Sequence, residues 1–331
     1  MTDRITYIES RQFDPYVNLA VEEYLLLHCE ADECILYLWQ NQNTIVVGRN
    51  QNAWRECRVE ALEQDGGRLA RRLSGGGAVY HDLGNLNFTF IVRQDNYDLD
   101  RQMEVIVAAL KKLGIRAEKS GRNDVLVDGR KVSGNAYYRQ GDRCYHHGTL
   151  MVSVNLKDLG KYLTVSKEKL QSKGVASVRS RVANLTEFLP ELTIDRLKET
   201  LRSAFEQVYG LPAKDLRVED LCKEELEKTR EKYASWDWLY GRKLEFTQEF
   251  SHRFSWGEVQ LQLMVDGGMV TDVQVYCDAL DAGLAAEMMV CLKGCPFRRA
   301  DLSQALCTCT TQEERAGLLR ETAAWILEWE M

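Results

Sequence analysis

Two arginines, three consecutive glycines and a His-Asp pair stand together in RRLSGGGAVYHDLGN, residues 71–85. Glycine loses more conformational freedom on folding than any other residue and packs nothing, so three in a row need a compensating role. Gly75, Gly76 and Gly77 let backbone pass close to a ligand, and their N–H groups can converge on an anion. Arg71 and Arg72 add guanidinium charge beside them. That is chemistry for a phosphate. Neither G-x-x-x-x-G-K-[ST] nor G-x-G-x-x-G occurs here, which removes the Walker loop and the Rossmann fingerprint. The pattern alone leaves a phosphate or adenylate loop and a plain β-turn both open.

A second polar concentration is SGRNDVLVDGRKVSGNAYYRQGDRCYHHGTL, residues 120–150, with Asn123, Asp124, Lys131, Ser133, His146, His147 and Thr149. Small neighbours (Ser133, Gly134, Ala136) leave space for a ligand to approach the Lys131 ammonium, where it can offset developing negative charge. An isolated lysine beside a turn is otherwise merely solvated. The third is LQSKGVASVRSRVANLTEFLP, whose Lys173, Arg179 and Arg181 sit in a Gly/Ser-containing segment suited to a closing loop, or to a surface loop without function.

These stretches need elements to hold them. YVNLAVEEYLLLH after Asp14-Pro15 has helical spacing, and DRQMEVIVAALKKLG places Met103, Ile106 and Leu110 on one stripe with Gly114 as its stop. ECILYLWQ, TIVVGRN and LNFTFIV read as strands of one sheet, the last with Leu86, Phe88, Phe90 and Val92 on one face. Asp128-Gly129 between β-prone runs predicts a hairpin that sets Lys131 just past a tight turn. A helix follows over 194–209 with Gly210 as its stop, then the charge-rich EDLCKEELEKTREKY, read as a solvated helix face. After SWDWLYG the pattern restarts as VQLQLMV, Gly267-Gly268, VTDVQVY and helical segments. The expected organisation is a domain over 1–244 and a small α+β domain over 245–331.

The 331 residues are 45% hydrophobic, with 43 Lys+Arg against 50 Asp+Glu, a net charge of -7. This is a globular composition with no general attraction to nucleic acid. The polar N-terminus has no signal pattern, and no stretch approaches 18 apolar residues, so a cytoplasmic, membrane-free protein is expected. Its ten cysteines should then be reduced thiols. Cys291/Cys295 and Cys307/Cys309 have spacings that match zinc ribbons poorly, and buried small hydrophobes are the favoured reading.

Taken together, RRLSGGGAVYHDLGN, GRNDVLVDGRKVSGNAY, HHGTL and KGVASVRSRVANLTE resemble the bacterial lipoate-protein ligase A family, in the same order and at similar separations. The resemblance runs from DPYVNLAVEE to RFSWGEVQL, nearly the whole chain. It implies an α+β fold, a mixed, largely antiparallel sheet flanked by helices as in biotin-protein ligases, plus a small C-terminal α+β domain. It implies the activation of free lipoate by ATP and Mg2+ to lipoyl-AMP. The lipoyl group then passes to a lysine of an apo lipoyl domain, of a 2-oxoacid dehydrogenase E2 subunit or the glycine-cleavage H protein. By carry-over, Lys131 is the catalytic lysine and Arg72 contacts the nucleotide. Gly77, Ala78, Val79 and Tyr80 hold the nucleotide, while Gly75 and Gly76 line the acyl side. Ser133 belongs to the binding set, Asn123 and Asp124 lie near the phosphates, and Asp124 is a Mg2+ ligand. Lys173 to Val182 is the adenylate-binding loop. His81, Asp82, His146 and His147 are assigned structural rather than acid/base roles, since an acyl adenylate is already activated.

One departure opens an alternative. Cys144 precedes His147-Gly148, and related octanoyltransferases carry an acyl-accepting cysteine in a comparable place. An octanoyl or lipoyl transferase using a Cys144 thioester with Lys131 as partner is therefore a second reading. A non-catalytic module holding lipoyl-adenylate is a third. The retained adenylate segment and C-terminal domain favour the ligase.

Overall fold

The computed structural model describes residues 2–121, 124–164, 182–241, 244–310 and 312–329. Their contacts divide the chain into two compact units. Met1–Val47, Ala53–Arg72 and Ala78–Leu239 form the larger, and Gly48–Asn52, Leu73–Gly77 and Tyr240–Met331 form the smaller.

Among its described residues the larger unit has eleven strands: β1 (Arg4–Glu9), β2 (Glu33–Trp39), β3 (Thr44–Val47), β4 (Arg68–Arg71), β5 (Val79–His81), β6 (Asn85–Arg93), β7 (Ala117–Ser120), β8 (Asp124–Val127), β9 (Arg130–Gln140), β10 (Arg143–Met151) and β11 (Ala213–Arg217). Eight make one sheet in the order β11-β1-β2-β6-β10-β9-β8-β7. β1 is parallel to β2 and β11, and the remaining pairings are antiparallel. The sheet is thus mixed and largely antiparallel, as expected. TIVVGRN does not join it: β3 pairs with β4 and β5 in a separate three-stranded sheet. Asn43 takes a left-handed turn (φ 41°) that redirects the chain away from β2.

Three helices flank the large sheet, α1 (Pro15–His28), α2 (Leu99–Lys112) and α3 (Ile194–Tyr209), and α4 (Lys223–Ala234) packs on α1. Asp14, Asp98 and Thr193 cap the first three by accepting from backbone N–H groups of the opening turn. Gly114 (φ 80°) and Gly210 (φ 67°) stop α2 and α3 in the left-handed conformation that the sequence expects of them. α2 and α3 bury Met103, Ile106, Leu110, Leu197, Leu201 and Phe205 against Leu86, Phe88, Phe90 and Val92 of β6. Each such side chain contributes about 1.5–3 kcal/mol on burial.

The opposite phase of β6 carries Asn85, Asn87 and Thr89, which are also buried. Buried polar groups require partners, and α1 lies against this second face to supply some of them.

In the smaller unit β12 (Gln248–Phe254), β13 (Gly257–Asp266) and β14 (Met269–Cys277) form an antiparallel meander. Three helices, α5 (Leu284–Leu292), α6 (Arg299–Cys307) and α7 (Glu313–Leu327), share its core of Val259, Leu261, Leu263, Val275, Met288, Leu319 and Ile326. Cys291 and Cys309 form a disulfide here, correcting the expectation of ten reduced thiols. The end of α5 and the chain beyond α6 bring their Cα atoms to 6.0 Å, within bonding range. Among the described residues no group of three or more His, Cys, Asp or Glu could hold a metal ion, and no helix is long and apolar enough to cross a membrane.

Candidate functional site

The polar phase of β6 organises one grouping. Glu22, two turns into α1 and buried, accepts from Thr89 Oγ1 at 2.7 Å and from His147 Nδ1 at 2.9 Å. Trp39 Nε1 donates to Thr89 Oγ1 at 3.1 Å, so one carboxylate ties α1 to β2, β6 and β10. Arg72 is also buried here, its Nη1 donating to the Val46 carbonyl at 3.0 Å. Burial pulls its pKa down to about 10, which leaves it cationic at neutral pH. Burial, followed by the Arg72 charge, drives the His81 ring down to about 3, so that imidazole is neutral. Arg71 differs from its expected role beside the glycines. Its Nε donates to Trp238 and Leu239 carbonyls, and Trp238 Nε1 returns a bond to the Arg71 carbonyl, so it anchors the short helix Trp236–Tyr240.

Lys131, Asp124 and Ser133 gather on the β8–β9 hairpin. Asp128 (φ 49°) and Gly129 (φ 73°) make its turn, as Asp-Gly pairs do. The register slips between Val125 and Leu126, setting Lys131 opposite Leu126 and Asp124 opposite Gly134. Lys131 Nζ lies 2.7 Å from Asp124 Oδ1, each side chain about one-third exposed. The contact is an ion pair out of line for a hydrogen bond. A β-carbon at Gly134 would stand 2.9 Å from Nζ, so the missing side chain is what lets the ammonium lie over the strand. Ser133, opposite Val125, is buried, and its hydroxyl has no hydrogen-bond partner among the described residues. Asn123 lies outside the described residues, as do Lys173, Arg179, Arg181 and all of the expected adenylate loop except Val182. Val182 itself bridges to Lys131, and Ala183 N donates to the Lys131 carbonyl at 2.9 Å.

The three glycines, counted with the smaller unit, stand in three different surroundings. A β-carbon on Gly75 would come within 2.2 Å of the Ala279 carbonyl oxygen. Gly76 is left-handed (φ 85°), and its N–H donates to that same oxygen at 2.9 Å. At Gly77 a β-carbon would meet nothing within 4 Å. The run continues into Ala78 and then β5, where the Tyr80 hydroxyl donates to Asn43 Oδ1 at 3.2 Å.

His146 is structural. Its ring nitrogens lie 3.2 Å from Gln102 Oε1 and 3.0 Å from Asn135 Oδ1, Phe90 stacks on it, and burial drives it down to about 3. Gly148 follows from the same contact, since a β-carbon there would come within 2.4 Å of Asn135 Oδ1. Cys144 lies in the core under α2 and α3, and burial pushes its thiol above the ordinary cysteine value. It stands opposite Arg139, eight residues along β9 from Lys131. At roughly 3.3 Å per residue that is on the order of 25 Å of strand. The suggested partnership of Cys144 with Lys131 is excluded by this register.

The sequence reading missed Glu22, Trp39 and Thr89; of these only Thr89 carried a signal, standing with Asn85 and Asn87 on the polar phase of an otherwise apolar strand.

Comparison with known proteins adds a family. Residues 14–206 match the lipoyl protein ligase A/B catalytic domain, and residues 243–329 match the bacterial lipoate protein ligase C-terminus. LipL1 of P. falciparum, solved in complex with lipoate, is 29% identical with a TM-score of 0.86, covering 98% of this chain and 100% of its own. A bipartite lipoate protein ligase of Thermoplasma acidophilum, solved in a study of that ligase and its E2 lipoyl domain, is 28% identical (TM-score 0.64; 75% and 100% covered). A lipoate-protein ligase A bound with ATP is 26% identical (TM-score 0.62; 73% and 99% covered).

Proposed function

The chain belongs to the lipoyl protein ligase A/B family, and on that premise we propose that it is an ATP-dependent lipoate-protein ligase. Lipoate's carboxylate oxygen attacks the α-phosphorus of ATP, a P–O bond forms, and pyrophosphate leaves. An amine of an apo lipoyl domain then attacks the lipoyl carbonyl, an amide forms, AMP leaves, and the ammonium proton is lost. The acceptor is an E2 lipoyl domain or the glycine-cleavage H protein.

The observation that carries this reading is the Lys131 ammonium, held about one-third exposed over Gly134 against a single carboxylate. A fixed, partly desolvated cation offsets the charge that builds on a five-coordinate phosphorus, and it polarises the acyl carbonyl in the second step. Arg72 binds the nucleotide, with Gly77, Ala78, Val79 and Tyr80 contributing mainly backbone, and Gly75 and Gly76 bordering the acyl side. Asn123 and Ser133 complete the set. Mg2+ prefers one or two carboxylates together with substrate phosphates, and Asp124 fits as one such ligand. When bound, the ion would neutralise phosphate charge while Lys131 is released from Asp124.

The position and raised pKa of Cys144 weigh against the transferase reading. The deciding experiment is the intact mass of an apo lipoyl domain incubated with the protein and either lipoate with Mg-ATP or octanoyl-acyl carrier protein alone. A lipoyl mass gain only with ATP supports the ligase. Transfer from the carrier without nucleotide overturns it.

A further inference from the structure

The smaller unit carries a charge cluster with no assigned part in the chemistry. Arg315 on α7 grips Asp281 with two prongs, Nε to Oδ2 at 2.6 Å and Nη2 to Oδ1 at 2.8 Å, while Nη1 reaches Glu287 Oε2 at 2.6 Å. Asp281 Oδ1 also accepts from Gly283 N at 2.8 Å, and Gly283 lacks a β-carbon that would stand 2.6 Å from Nη2. A bidentate guanidinium satisfied by two carboxylates is among the more rigid pairings a protein can make. It pins the turn between β14 and α5.

The other side of that turn faces the two loops that the smaller unit takes from early in the chain. The Ala279 carbonyl accepts the Gly76 N–H at 2.9 Å, and the Ala282 carbonyl accepts from Asn50 Nδ2 at 2.8 Å. Cys277 N donates to the Asn50 carbonyl and Arg49 N to the Ser74 carbonyl, both at 2.9 Å. Gly48 is as crowded as Gly75, since a β-carbon would meet the Gly76 carbonyl oxygen at 2.1 Å.

We propose that Arg315 is a positioning residue for the glycine loop: through Asp281 it fixes the carbonyls of Ala279 and Ala282, which in turn hold Gly76 and Asn50. The inference rests on the reading above, in which the glycine run borders the acyl adenylate. Arg315 touches no substrate. It sets the conformation from which the loop receives one.

The test uses the full chain with Arg315→Gln, and Lys293→Gln as a control that removes an unrelated ion pair of the same unit. Amide exchange of Gly76 is measured without ligand. Adenylation kinetics are measured with lipoate and Mg-ATP. Arg315→Gln should accelerate Gly76 exchange by roughly tenfold or more through local opening while the chain stays folded. KM for ATP should rise several-fold, with kcat changed less; Arg315→Lys should fall between. The control should match wild type. If Arg315→Gln does not fold, Asn50→Ala, which releases Ala282, should produce the same exchange change. Unaltered Gly76 exchange in a folded variant overturns the proposal. A wild-type chain that forms no lipoyl-AMP brings down the ligase reading, and the exchange result still decides the clamp.

Discussion

Lys131 Nζ and Asp124 Oδ1 close an ion pair of 2.7 Å across the β8–β9 hairpin, from positions that a one-residue register slip brings onto the same side. An electrostatic role predicts that Lys131→Ala lowers both half-reactions by about 10²–10³. Pyrophosphate release and transfer from preformed lipoyl-AMP should be measured separately. Release at near wild-type rate in Lys131→Ala would remove the assignment.

Cys144→Ser should leave lipoylation within a factor of about two while costing roughly 1–2 kcal/mol of stability, because it puts a hydroxyl into the core under α2 and α3. Loss of transfer in a variant that melts like wild type would mean that the thiol does chemistry.

The buried rings of His146 and His81 predict acid lability. Both are pulled down to about 3 in the folded state, whereas an unfolded histidine titrates near 6.5. As pH falls below about 6.5 the unfolded chain takes up protons that the folded chain refuses, so stability declines from there toward pH 3. At pH 4.5 the loss is about 2–3 kcal/mol per ring. Urea unfolding at pH 7.5 and 4.5 should show a smaller loss in His146→Gln than in wild type. Equal losses would show that this ring does not set the slope.

The glycines should separate by substitution. Gly75→Ala drives a methyl into the Ala279 carbonyl and should destabilise by about 2 kcal/mol or more, whereas Gly77→Ala meets open space and should melt near wild type. A fall in activity for Gly77→Ala would then report on ligand approach rather than on folding. Equal melting temperatures for the two variants would contradict the crowding at Gly75.

Much of the architecture was legible because its signals are local. Asp128-Gly129, Gly114 and Gly210 each act through their own backbone, and Leu86, Phe88, Phe90 and Val92 declare a face by alternation. What was hidden depends on register and on contacts between distant segments. The Glu22–His147 bond spans 125 positions. Nothing near Cys144 announces that β9 carries Lys131 to the other end of the strand, and nothing near Thr44–Val47 says that this run leaves the large sheet. The Cys291–Cys309 bond likewise depends on how α5 and α6 fold back. The glycine triplet was conspicuous, yet its sequence could not distinguish a residue made small for a ligand from one made small for Ala279.

The smaller unit draws Gly48–Asn52 and Leu73–Gly77 from far upstream, so covalent order and spatial membership disagree. Expressing 245–331 alone would yield a piece with the Ala279 and Ala282 carbonyls stripped of their donors. A proteolytic nick near residue 241 would sever the backbone without dismantling that unit, because the two borrowed loops act as noncovalent stitches. Transplanting this unit into another chain would therefore have to move three separate stretches of gene, not one.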